Sequence, residues 1–498
     1  MLLSGMARAR LRVTTRSSPW TRAQNTYSTK GASFRSNSGS SHNLTRLIAT
    51  ASVVSTSGLW WLVNTRDDAV RDDAPHLETP PAKHWTVEPG PSRDQVTRII
   101  SQGAYSFLVR NVDGVSRYDG AQLASNCPCE DQFTHGKFPS PGKQGKNWMA
   151  WGVYDGHSGA QTAELLKEQL LPFVRRSLSQ VKSSSAGEAL SDEFVQSAIV
   201  KGFLDLDDSI IKTALETVQS RYPLPEKVKK LAPAYAGSCA LLSMYDSTTS
   251  TLHVACTGDS RAVLGRKGPD GRWEAKALSV DQTGNNEEEI ARLHEEHPGE
   301  EDMIKNGRVL GLMVSRAFGD CRWKWSLEFQ REVQKRFYGP SPLTPRYPVQ
   351  TPPYLTAEPV VRSTMIDTAS PSFLIMATDG LWDMISNQQA VDLVGKWLER
   401  GGDEQGNANP EPTYEPFDFG HFDKPGSERF VDGWTTVQDD NVAVHLVRNS
   451  LGGNHHELVA GRLAFGPSSS RHARDDITVQ VVFFNVPESE SNNQKSTP

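Results

Sequence analysis

Trp148-Met149-Ala150-Trp151-Gly152-Val153-Tyr154-Asp155-Gly156-His157 is an apolar run that stops at a carboxylate. A run of this length reads as a buried strand, and the acid just beyond it sits on a rigid element at the rim of a core. The pattern recurs. Phe373-Leu374-Ile375-Met376-Ala377 leads into Asp379-Gly380-Leu381-Trp382-Asp383, and Asp475-Asp476 precedes Ile477-Thr478-Val479-Gln480-Val481-Val482-Phe483. Thr257-Gly258-Asp259-Ser260-Arg261 follows the run at 251–256, and Glu130-Asp131 forms a further acidic pair. A lone Asp-Gly is most often a turn aspartate that caps its own backbone. Five acidic clusters, four of them abutting apolar runs, describe something else. Carboxylates converging at one rim repel one another unless a cation lies between them.

That donor set is made of oxygen, with no zinc-type Cys–His grouping, and it selects Mg²⁺ or Mn²⁺. Two such ions about 3.5–4 Å apart bind a water between them, lower its pKa towards neutrality and offset charge on a transferring phosphoryl group. His157, two residues beyond Asp155, is placed to protonate a leaving alkoxide. Its alternative is a histidine that supports the metal ligands from behind.

The chain has 498 residues, enough for one elaborated catalytic domain with a leader. Residues 1–66 carry eight Arg, one Lys and no acid; with −6 overall, the remainder carries −15. So acidic a body argues against nucleic-acid binding by phosphate neutralisation. Five cysteines, Cys127, Cys129, Cys239, Cys256 and Cys321, are too few and too scattered for a disulfide scaffold. Cys239 and Cys256 fall in apolar runs and read as small core residues.

Residues 1–46, rich in Arg, Ser and Thr and free of acid, have the composition of a mitochondrial transit peptide. Leu47–Val63 is uncharged and 17 residues long, at the lower limit for a bilayer span; it reads as an inner-membrane anchor or a sorting signal. Residues 64–95 read as a Pro-containing linker, 96–486 as the folded body and 487–498 as a polar tail. Two stretches, 321–353 with its Pro-rich end and 401–434, read as surface insertions. Helical periodicity covers Gln161–Val174, Asp192–Val218, Asn286–His294, Asn387–Leu398 and Asn441–Leu451. Strand-like runs are Trp148–Tyr154, Cys239–Tyr245, Thr251–Cys256, Arg261–Gly265, Phe373–Thr378 and Thr478–Phe484. Strands arriving in groups indicate antiparallel sheet with helices outside, an α+β layered fold.

In this order, Glu130-Asp131, Asp155-Gly156-His157-Ser158-Gly159, Gly258-Asp259-Ser260-Arg261, Ser315-Arg316-Ala317-Phe318-Gly319-Asp320, Asp379-Gly380-Leu381-Trp382-Asp383 and Asp475-Asp476 resemble the metal-dependent serine/threonine phosphatases of type 2C. The resemblance implies a four-layer α/β/β/α sandwich, two central antiparallel sheets flanked by helix pairs. It implies two Mg²⁺ or Mn²⁺ ions bridged by Asp155, with the Gly156 carbonyl on one and Asp379 and Asp475 on the other. Glu130 and Asp131 would act through bound waters, Asp259 and Asp383 with Asp379 would hold a third ion, and His157 would be the general acid.

One position departs from the pattern. Many members have an Arg four residues before the Glu-Asp pair to grip the substrate phosphate. Asn126 stands there, without the charge or the bidentate fork. As a candidate substrate-binding residue it leaves part of the grip to the metals or to another base. Ser125-Asn126-Cys127-Pro128-Cys129-Glu130-Asp131, Trp323-Lys324-Trp325-Ser326 and Thr351-Pro352-Pro353-Tyr354-Leu355-Thr356-Ala357-Glu358-Pro359 resemble the pyruvate dehydrogenase phosphatase branch. That resemblance implies a mitochondrial phosphatase whose phosphoprotein substrate is the E1α subunit of the pyruvate dehydrogenase complex. If Leu47–Val63 holds the body in the intermembrane space rather than the matrix, another phosphoprotein takes that place. A non-catalytic binding module on the same fold is the remaining alternative.

Overall fold

The structure, a computed structural model, describes residues 90–180, 190–400, 430–466 and 470–486. The leader, the Leu47–Val63 segment, nearly all of the linker, most of the 401–434 insertion and the tail lie outside the described residues. Among the described residues no helix is long and apolar enough to cross a membrane.

The apolar runs become the interior strands of two antiparallel sheets. In the first sheet the order is Tyr105–Leu108, Val115–Leu123, Ile477–Phe484, Ser372–Ala377, Arg261–Lys267, Trp273–Ala277. In the second it is Val360–Met365, Thr251–Thr257, Ala240–Asp246, Asn147–Tyr154, Gln132–Pro139. The strands Ala240–Asp246, Thr251–Thr257, Ser372–Ala377 and Ile477–Phe484 are buried at every residue. A sheet covered on both faces needs apolar side chains on both, so these strands read as continuous runs rather than as alternation.

Three apolar clusters mark the three interfaces of a four-layer α/β/β/α sandwich. Between the sheets, Met149, Trp151, Val153, Leu241, Tyr245, Val254 and Cys256 meet Tyr118, Leu264, Leu374, Met376, Val482 and Phe484. Outside the first sheet pack the helices Arg93–Ser101, Asn387–Glu399, Val442–Ser450 and His456–Ala464. Outside the second pack Gln161–Gln180, Asp192–Gln219, Leu224–Tyr235 and Leu327–Phe337. All five cysteines are free, and Cys239 and Cys256 are buried as expected.

Two boundaries differ from the sequence reading. The linker stops before residue 95, because Ser92 caps the helix Arg93–Ser101. Its Oγ accepts from Gln95 N, and its own N–H donates to Gln95 Oε1 at 2.7 Å, a reciprocal box. The 321–353 stretch is more than a surface insertion. Trp325, Val333 and Phe337 join the outer core of the second sheet. Trp323, Leu343, Tyr354 and Leu355 form a small core with Leu293, Met303, Val309 and Leu310. Prolines marked the segment as loop, but its aromatic residues anchor it.

Glu289, on the helix Glu287–Glu296, ties this region to the Ser315–Asp320 loop. It accepts from Arg316 Nε and Nη2 at 3.0 and 2.6 Å, from Ser315 Oγ at 2.7 Å and from Arg292 Nη2 at 2.8 Å. Burial would raise its pKa, but Arg316, Arg292 and Ser315 override that and hold it at about 2. A depressed folded pKa gives stability that is complete above the ordinary carboxylate range and lost as pH falls from there towards 2. Glu289→Gln strands a nearly buried guanidinium and is expected to cost about 3 kcal/mol in urea unfolding at pH 7. The deficit relative to wild type is expected to shrink towards pH 3. An unchanged midpoint would show that the pair is dispensable.

Candidate metal and phosphoryl-transfer site

Antiparallel register gathers the acids at one end of the sandwich. Gln132 pairs with Tyr154, so Asp131, before one strand, lies beside Asp155, after the other. Ala377 pairs with both Val479 and Arg261, which brings the ends carrying Asp379, Asp475 and Asp259 together. Carboxylate oxygens of Asp155, Asp259 and Asp379 lie within 4.8 Å of one another. Asp383 follows one turn after Asp379, its N–H donating to the Asp379 carbonyl at 2.8 Å, and is exposed at the rim.

Asp131 fastens the two sheets at this end. It is 1 % exposed, and its Oδ2 accepts from Thr478 Oγ1 at 2.7 Å, on the other sheet, and from Thr378 Oγ1 at 2.9 Å, just past the end of a strand of that sheet. Asp476 performs a parallel task for the 125–130 loop. It accepts from the backbone N–H of Ser125, from Asn126 N at 2.8 Å and from Glu130 N at 2.8 Å. The Asn126 amide also donates to Asp476 Oδ2 at 3.0 Å. The Asn126 side chain is thus engaged in holding its own loop.

The electrostatics are those of crowded like charges. Burial and then Asp379, Asp131, Asp259 and Asp475 push the Asp155 carboxyl well above the usual carboxylate range. Burial followed by Asp259 and Asp475 does the same for Asp379. Asp259 is raised to about 6, mainly by burial, although the Cys239 thiol donates to it at 3.3 Å. Asp475 and Glu130 are raised by burial, with Arg471 opposing the rise in both. Asp155 Oδ2 is buried with no hydrogen-bond partner. An orphaned carboxylate oxygen facing other carboxylates fits a hard divalent cation. The donors therefore suit Mg²⁺ or Mn²⁺.

His157 owes its position to a ribbon of three two-residue strands. Gly237 pairs with His157 on one side and with Gly319 on the other, so Asp320 arrives beside the imidazole. His157 Nε2 donates to Asp320 Oδ2 at 2.5 Å. A Cβ on Gly237 would lie 2.2 Å from His157 Nε2 and 2.3 Å from Asp320 Oδ2, so only glycine permits this pair. Gly156 is equally constrained: a Cβ there would meet the Glu130 carbonyl at 2.2 Å. Burial would lower the His157 pKa, but Asp320, and then Asp259 and Glu130, raise it above the ordinary value. Behind Asp320, the buried Asp207 accepts from Gly319 N at 3.0 Å and pairs with Lys324 at 2.6 Å.

Asp155, Asp259 and Asp379 thus cluster directly, with Gly156 adjoining Asp155, and Asp131, Asp475, Asp383, Glu130 and His157 lie near enough to interact electrostatically with members of the group. Four participants carried no role in the sequence reading. Asp320 belongs to a quoted motif, but its contact with His157 crosses 163 positions. Thr378 and Thr478 sat unnoticed at strand ends. Arg471 lay in a polar stretch with no periodic signal.

The protein phosphatase 2C family model matches residues 124–410. A protein phosphatase 2C homolog of Schizosaccharomyces pombe is 40 % identical over 426 residues, covering 83 % of this chain and 91 % of that protein. The mitochondrial pyruvate dehydrogenase (acetyl-transferring) phosphatase 1 of Saccharomyces cerevisiae is 37 % identical over 411 residues, 76 % of this chain and 70 % of that one. The human protein of the same name is 31 % identical over 483 residues, covering 81 % and 84 %. With the family model matching more than half of this chain, and relatives aligned across three quarters or more of it, the chain belongs to the protein phosphatase 2C family of metal-dependent serine/threonine phosphatases.

Proposed function

We propose that this phosphatase acts in mitochondria on phosphoserine or phosphothreonine of the pyruvate dehydrogenase E1α subunit. The observation that carries the substrate is the 37 % identity, over 76 % of the chain, to the yeast phosphatase named for that enzyme. The acid-free leader and the 125–131 and 351–359 motifs support the same reading.

In this reading Asp155, the Gly156 carbonyl, Asp379 and Asp475 would hold the divalent ions. Glu130 and Asp131 would help through bound waters, and Asp259 and Asp383 with Asp379 would hold a weaker third ion. When bound, the ions supply a water acidic enough to attack at neutral pH and offset charge on the phosphoryl group. The chain's own part is positional. Asp131 and Asp476 lock the strand ends so that the carboxylates stay in place against their repulsion. Asp320 orients His157 and favours its protonated form, the form a general acid needs to protonate the leaving serine or threonine oxygen.

The test is reactivation of phosphorylated pyruvate dehydrogenase complex by the purified protein with Mg²⁺. The expected result is release of phosphate from E1α with recovery of dehydrogenase activity, abolished by EDTA. Hydrolysis of a generic phosphopeptide with no effect on the complex would overturn the substrate assignment and leave the phosphatase intact. The apolar Leu47–Val63 stretch keeps a second reading open, an inner-membrane enzyme facing the intermembrane space. Digestion of the native protein by external protease in mitoplasts but not in intact mitochondria would select it.

A further inference from the structure

The loop that carries Asp475 packs against the loop that carries Asn126. Ser470 Oγ donates to the Ser125 carbonyl at 2.5 Å, Ser125 Oγ donates to the Arg474 carbonyl at 2.8 Å, and Arg474 Nη1 donates to the Ala124 carbonyl at 2.7 Å. With Asp476 clasping the N–H groups of Asn126 and Glu130, these bonds hold the loop that carries Arg471 against the loop that carries Asn126.

The cations near the acidic cluster differ in what they have left to offer. Arg261 is held by both oxygens of Asp281 and by Asn387 Oδ1. Arg474 is turned to a backbone carbonyl and His157 to Asp320. Arg471 makes an ion pair through Nη1 with Asp475 Oδ1 at 2.5 Å, and its side chain is 49 % exposed. Its guanidinium also lies close enough to feel the charges of Glu130, Asp476 and Asp379.

We propose that Arg471 grips the phosphate of the substrate, the task for which Asn126 has neither charge nor fork. The inference rests on the phosphatase activity but not on the identity of the phosphoprotein. An ion pair this exposed is worth ~1 kcal/mol or less. A phosphate dianion, which accepts two parallel N–H bonds from a guanidinium, therefore competes well against Asp475 for it. Asn126, with its amide committed to Asp476, keeps the 125–130 loop in place beneath the incoming group.

The experiment uses the full chain, a short phosphothreonine peptide and inorganic phosphate as product inhibitor, at saturating Mn²⁺. Arg471→Ala is expected to raise both the peptide KM and the phosphate inhibition constant about tenfold, with kcat falling less than about threefold. Arg471→Lys, keeping the charge without the fork, is expected to fall between the two. Arg471→Gln reads the same constants should the Ala variant fold poorly. The alternative is that Arg471 only steadies Asp475. In that case the variants need more Mn²⁺ for half-maximal activity, and the phosphate inhibition constant at saturating Mn²⁺ stays at the wild-type value. That outcome, or an unchanged KM, overturns the proposal. Hydrolysis of the peptide is the readout throughout, so failure on the dehydrogenase complex would leave this result untouched.

Discussion

Asp155→Asn is expected to lower kcat/KM on a phosphopeptide by about 10³-fold or more, because it would remove a central carboxylate of the proposed metal site. The fold is expected to survive. Asp155 lies at the end of a strand whose neighbours on both sides are fully formed, and its Oδ2 has no hydrogen-bond partner to lose. The stability change carries the opposite sign to the activity change. Without cations, Asp155 is a burden to the folded state, since burial and four nearby carboxylates all oppose its charge. In EDTA the Asn variant should therefore melt at or above the wild-type temperature. Addition of Mg²⁺ should stabilise wild type strongly and the variant weakly, because only the intact site gains binding energy on folding. Calorimetry with and without EDTA, beside a phosphate-release assay, reads both halves. Full activity in the variant, or a lower Tm in EDTA, would remove Asp155 from the metal site.

His157→Ala is expected to slow hydrolysis of a phosphothreonine peptide by about 10²-fold or more, the contribution of a well-placed general acid. On p-nitrophenyl phosphate the loss should be far smaller, because p-nitrophenolate leaves with little need of a proton. Asp320→Asn should follow the same pattern more weakly. The imidazole remains, but it loses the carboxylate that orients it through the 2.5 Å hydrogen bond and favours its protonation. The ratio of the two substrates' kcat values is the readout. A residue needed only for packing would depress both alike, and equal losses would take His157 out of the proton-transfer role.

Much of the sandwich could be read from the residues. Interior strands buried on both faces hold long apolar runs, such as Phe373–Ala377 or Val481–Phe484. The acids that end those runs, Asp155, Asp379 and Asp475, were visible for the same reason, since a carboxylate contrasts sharply with what precedes or follows it. The edge strands Tyr105–Leu108, Gln132–Pro139, Trp273–Ala277 and Val360–Met365 were not legible. An edge strand has neighbours on one side only and is partly exposed, so its residues need not be apolar; in Gln132–Pro139 only Phe138 is buried. Val115–Leu123 escaped for another reason. It is an interior strand, but it carries Arg117 paired to a buried Asp119, which also accepts from Val442 N at 3.0 Å.

By itself, then, the chain determined which side chains are acidic, which segments must be buried, and the order in which they occur. Those properties are local, and a carboxylate after an apolar run looks the same whatever lies opposite. Tertiary structure alone decided that Asp320 meets His157 across Gly237, that Thr378 and Thr478 hold Asp131, that Arg471 pairs with Asp475, and that Asn126 is committed to Asp476. Such pairings join positions up to 350 residues apart. They exist only because antiparallel register brings the end of one strand beside the start of its neighbour, a condition set by the packing of whole sheets and by no segment alone.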